Sequence, residues 1–165
     1  MNDVKRILVI CGMVSHCGDL VHYGATLARQ ARAELFVMNV IYNPFGIKGW
    51  NLPLPSLAED YRKLLEKTRK DMHEIVSQEI RQGIAVKELI REGKPTDVIL
   101  KVVNEEKIDL LVLAGHEETR MEHFLFGRDN EDLLRKMPCS ILFVKTEPKP
   151  VVEEEEQGEA ETEEE

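Results

Sequence analysis

Apolar and polar positions along this chain switch repeatedly between two periods. Short continuous apolar runs mark strands buried on both faces, and 3.6-residue repeats mark helices packed along one face. Arg6–Cys11 is such a run, unbroken after its first residue. Gly18–Ala33 then sets Leu20, Val21, Gly24, Leu27, Ala28 and Ala31 on one helical face. Leu35–Ile41 reads as a second buried strand, followed by a Pro/Gly-rich loop, Asn43–Pro55, that carries Trp50. The longest helix opens at Ser56, with Glu59 completing a capping box, and Gly83 closes it. Its inward positions are Leu57, Tyr61, Leu64, Leu65, Thr68, Met72, Ile75, Val76 and Ile80. Ile84–Ile90 is a third strand, and Gly93-Lys94-Pro95 turns into a short helix with Val98, Ile99, Val102 and Val103 inward. Asp109–Ala114 is the fourth strand, Gly115–Arg128 a polar loop, Asp129–Met137 a helix stopped by Pro138, and Ser140–Val144 a fifth strand. Strands separated by single helices give a parallel sheet with right-handed crossovers.

Composition changes this picture in one respect. The formal charge is −9, yet Val151–Glu165 alone holds nine Glu and no Lys or Arg. Removing those nine from the 31 acids leaves 22 against 22 Lys and Arg, so the rest of the chain is neutral. A domain over residues 1–147 and an acidic, disordered tail over 148–165 are therefore expected. A neutral domain with an anionic tail offers no attraction for nucleic acid or for an anionic membrane. The tail is instead a candidate docking point for a basic protein partner. No apolar stretch is long enough to span a bilayer, and Val4–Cys11 is too short and wrongly flanked for a signal peptide. The three cysteines, Cys11, Cys17 and Cys139, form no even disulfide framework, so the chain reads as cytoplasmic.

An open parallel sheet binds ligands outside the carboxyl ends of its strands, where the strand order reverses. With strands one and four adjacent, two loops face each other there, Gly12–Cys17 and Gly115–Arg128. Gly127 stands directly before a helix, whose free N–H groups and positive end suit an anion.

Several segments in order resemble the universal stress protein family. They are Ile7–Ile10 followed by Cys11-Gly12, Glu92-Gly93-Lys94-Pro95, Ile108–His116, and the run from Phe124-Leu125-Phe126-Gly127 through Met137-Pro138 to Val144. The resemblance covers about Val4 to Val144 and leaves the tail outside. It implies a doubly wound α/β fold, five parallel strands in the order 3-2-1-4-5 with helices on both faces. It also implies a role in the stress response and a homodimer through the fifth strand, here Ile141, Leu142, Phe143 and Val144. In one branch of the family it implies ATP or AMP at the switch point. Transferred residue by residue, that site would comprise Cys11, Gly12, Met13, Val40, Gly115, His116, Gly127, Arg128, Asp129 and Asn130.

The transfer exposes departures. The branch that binds nucleotide carries G-x2-G-x9-G followed by Ser or Thr. Here Glu117 or Glu118, depending on alignment, takes the second glycine's place, and Arg128 takes that of the hydroxyl residue. Cys11 replaces the Asp that faces the nucleoside, and Met13 replaces a Ser. A carboxylate repels phosphate and adds bulk where backbone must approach oxygen, whereas Arg128 grips it. The expectation is a degraded adenine-nucleotide site on a non-catalytic module, with a working ATP- or AMP-binding protein, slowly hydrolytic, as the alternative. Neither a catalytic triad nor a metal-ligand spacing appears among Cys11, His16, Cys17, His116, Met121 and His123. Cys11 reads as a small apolar residue ending a strand, with oxidation of its thiol as the sharper alternative. Trp50 divides evenly between a lid over the site and simple packing.

Overall fold

The computed structural model describes residues 3–11, 17–41, 55–115, 133–136 and 138–145, without the side chains at 55–57 and 115. The elements are β1 (Arg6–Cys11), α1 (Cys17–Ala31), β2 (Glu34–Ile41), α2 (Pro55–Arg81), β3 (Val86–Glu92), α3 (Pro95–Glu105), β4 (Leu110–Gly115) and β5 (Ser140–Lys145). Residues 133–136 are helical as well. Trp50 and the tail lie outside the described residues.

All five strands are parallel and stand in the order β3-β2-β1-β4-β5. The period-2 alternation of each strand divides its side chains between two apolar layers. Ile7, Val9 and Cys11 of β1 meet Leu20, Val21, Ala25 and Ala28 of α1 and Met72 and Val76 of α2. Leu8 and Ile10 face the other way, against Ile99, Val102 and Val103 of α3 and against Leu133. Because β1 is covered on both faces, every residue from Ile7 to Ile10 is apolar and buried. Helices therefore flank both faces, as the resemblance implied.

Two inward positions expected on α2 point outward. Leu64 is 50% and Ile80 43% exposed, while Thr68, Met72, Val76 and Glu79 form the buried stripe. A helix touching only one layer buries a narrow seam, and the step from Val76 to Glu79 keeps to it where the step to Ile80 rotates past. Likewise Ala31, expected inward on α1, is exposed. β3 begins at Val86, not Ile84, although Ile84 is itself buried in the connection.

The ends of the elements follow local chemistry. Gly83 takes φ +88 after α2, and its N–H donates to the Ile80 carbonyl at 2.9 Å, as a C′ glycine does. The turns after α1 and α3 instead place Arg32 (φ 54) and Lys107 (φ 53) in the left-handed region. Just before β4, the Asp109 carboxylate accepts the Lys5 and Arg6 N–H groups, each at 2.9 Å. The Asp109 N–H donates in turn to the Arg6 carbonyl at 2.9 Å. These bonds fix the entry of β4 beside that of β1.

Candidate functional site

The strand order reverses between β1 and β4. Their ladder runs from Ile7↔Leu110 to Val9↔Val112. On the outer flanks pairing continues to the strand ends, at Cys11↔Asn39 on one side and Gly115↔Lys145 on the other. β1 and β4 therefore part above Val9 and Val112, each still held by its other neighbour. This parting opens a crevice at the carboxyl edge, where a doubly wound sheet receives its ligand.

The described residues around the crevice are mostly apolar. Cys11 ends β1 at 2% exposure, and Ala114 and Gly115 end β4. Asn39, beside Cys11 on β2, is buried and polar. Ile41 is buried, and Val40 packs half-buried on the α3 face. Further along the same edge, the Ile41 carbonyl accepts the Gly93 N–H at 3.0 Å, tying the end of β2 to the turn that opens α3. Tyr61 of α2 stands close by. Burial first, then a hydrogen bond to Glu92 and the charge of that carboxylate, push its phenol up to about 12.

One expectation is overturned. Cys11 and Cys17 are joined in a disulfide, with Cα atoms 5.2 Å apart, while Cys139 is free. An odd count of cysteines does not forbid one pair plus one thiol. What decides is that β1 ends and α1 begins on the same face of the sheet, within the span a disulfide requires. Cys11 does end a buried strand, as its apolar surroundings lead one to expect, but its sulfur is bonded to Cys17 and is not a lone thiol. The signal was available in outline, since two cysteines six positions apart bracket the turn from the first strand to the first helix.

Of the expected nucleotide-binding positions, Cys11, Val40 and Gly115 reach this edge. Gly12, Met13, His116, Gly127, Arg128, Asp129 and Asn130 lie outside the described residues, as do Glu117 and Glu118. At the far edge of the sheet, β5 presents Phe143 at 39% exposure, with Ile141, Leu142 and Val144 half-buried.

Residues 3–145 match the model of the universal stress protein family. The chain belongs to that family. A universal stress protein of Methanocaldococcus jannaschii is 26% identical over 101 residues, which are 61% of this chain and 62% of that protein. The chain thus spans less than two thirds of that relative's length in the match. The solved structure under the same protein designation superposes with a TM-score of 0.70 at 22% identity, covering 90% of this chain and 100% of that one. A universal stress protein solved in complex with cAMP gives a TM-score of 0.61 at 18% identity, covering 88% of this chain and 100% of that one. One from Archaeoglobus fulgidus, in complex with dAMP, gives 0.54 at 16%, covering 88% and 100%. At these identities the structural likeness establishes the universal stress protein fold, a parallel sheet in the order 3-2-1-4-5 between helices. No described helix is long and apolar enough to cross a membrane.

Proposed function

We propose that this universal stress protein is a non-catalytic, cytoplasmic stress-response module, dimeric through β5, whose adenine-nucleotide site is degraded. The observation that carries this reading is the fate of position 11. Family members that bind nucleotide present an Asp there to accept from the nucleoside. Here the position is a cysteine, buried and covalently tied to Cys17. A sulfur held in a disulfide is at best a weak acceptor and carries no charge, so the polar anchor is gone. The carboxylate of Glu117 or Glu118 in the phosphate loop supports the same reading, because it repels the phosphates that Arg128 would attract.

The alternative is a working ATP- or AMP-binding protein, favoured by the crevice between β1 and β4 and by the cAMP and dAMP held by two proteins of this fold. Titration calorimetry of the full chain with ATP, ADP, AMP, cAMP and dAMP at millimolar ligand decides between them. Heats no larger than dilution are expected. Micromolar binding of any one overturns the degraded site and establishes the alternative.

The dimer rests on β5, which ends the strand order with a partly exposed apolar side chain. An apolar sheet edge is normally covered or paired, and pairing across a two-fold axis satisfies both copies. Phe143→Glu is expected to convert the dimer to a monomer in light scattering without loss of the far-UV helical signal. A wild-type monomer at tens of micromolar would rule the β5 dimer out.

A further inference from the structure

Cys11 and Cys17 stand at the end of β1 and the start of α1, beside the crevice, and are bonded to each other. We infer that they form a reversible two-electron redox site, whose oxidised form ties the carboxyl end of β1 to the first residue of α1.

Three observations carry this. Both cysteines lie in the apolar layer between the sheet and α1, at 2% and 4% exposure, so few groups compete for the pair. Their Cα separation of 5.2 Å lies in the ordinary range for a disulfide and equally permits two unbonded thiols after small side-chain rotations. The third cysteine is out of reach, since Cys139 packs against the opposite layer, across the sheet. Burial also pushes the Cys139 thiol up, which keeps it a poor nucleophile. The pair therefore opens and closes on itself without reshuffling.

The reaction partner is a dithiol reductant in one direction and its disulfide in the other. A thiolate of the reductant attacks the Cys11 sulfur, and the S–S bond breaks. Cys17 leaves as a thiolate at the positive N-terminal end of α1 and takes up a proton. The reductant's second thiolate then displaces Cys11, which is protonated in turn. Two electrons and two protons pass to the protein, and the reductant ends as a disulfide. Oxidation runs the same steps backwards. Because both sulfurs are buried, exchange waits on fraying of the first turn of α1, so it is slower than at a surface disulfide but needs no global unfolding.

Alkylation of the native full chain tests this. Protein equilibrated with oxidised glutathione, then denatured and treated with iodoacetamide, should carry one adduct, at Cys139. Protein first incubated under native conditions with dithiothreitol should carry three, and returning it to oxidised glutathione should restore one. Reduction should also lower Tm by roughly 5–10 °C, from the ring-closure entropy of so short a loop. The Cys11→Ala/Cys17→Ala variant should show no response of Tm to reductant. Three adducts after oxidised glutathione would mean that the pair does not form. One adduct after prolonged native reduction would mean a fixed structural bond. Either result overturns the proposal, and both are read on the wild-type chain, so folding of the variant is not required.

Discussion

Gly24→Ala should destabilise this protein by about 2 kcal/mol, although alanine is the better helix former by roughly 1 kcal/mol. Gly24 lies buried in α1 directly over β1, and a Cβ there would overlap the Cγ2 methyl of Val9 while touching Leu35 Cδ1 at 3.6 Å. Val9 has nowhere to go. It is fully buried, β-branched and therefore stiff, and its strand is bonded to β2 on one side and β4 on the other. Hence α1 itself must lift away from the sheet. Urea denaturation should show a lower midpoint with an unchanged slope. Adding Val9→Ala removes the obstructing methyl, so the double variant should lose about 1–2 kcal/mol less than the sum of the two single changes. A midpoint raised by Gly24→Ala alone would mean that helix propensity, not close approach, governs this position.

Glu79→Ala is the second large effect. Glu79 sits on the buried stripe of α2 with its side chain 5% exposed. From α1, His22 Nδ1 contacts its Oε1 at 2.8 Å and the Arg29 guanidinium donates to Oε2. Breaking a wholly buried pair costs about 3–5 kcal/mol. Here the His22 and Arg29 side chains are 60% and 35% exposed, and Arg29 keeps a bond to Gln82 at 3.0 Å, so both recover hydration when the carboxylate goes. The expected loss is therefore nearer 2 kcal/mol. Glu79→Leu should recover most of it, because an apolar side chain of similar size packs beside Val76 without desolvating a charge. Should Glu79→Leu prove as unstable as Glu79→Ala, the carboxylate itself, not its volume, holds α1 to α2.

The fold was legible because the central strands β1 and β2 are buried on both faces. Runs such as Ile7–Ile10 have no polar face to mislead, and β1 begins and ends at the residues the pattern marks. The end of α2 was legible through Gly83, which has the conformation its chemistry favours. By contrast, Arg32 and Lys107 adopt left-handed turns that their side chains do not advertise, so the close of α1 was misplaced by two residues. Glu79 was missed because a charged residue reads as surface. Only the placement of His22 and Arg29 on a helix some fifty positions earlier makes its burial tolerable. The disulfide was missed for a related reason: bonding depends on how two elements meet, and spacing alone does not carry that. At the crevice, Cys11 ends β1 where the pattern marks it, but β4 runs one residue beyond the expected Ala114, to Gly115, and the bond from Cys11 to Cys17 went unread.

The Asp109 contacts with Lys5 and Arg6 span 104 and 103 positions in the chain. The innermost strand of the sheet is also the first to be synthesised, and one of its two neighbours comes last but one. A nascent chain leaving the ribosome can assemble the first three strands, yet it exposes one long flank of β1 until residues 110–115 emerge. Folding is consequently paced by a distant partner, with a high contact order and a slow final closure. Interrupted synthesis, or proteolytic loss of the C-terminal third, should leave an aggregation-prone fragment in place of a smaller stable protein.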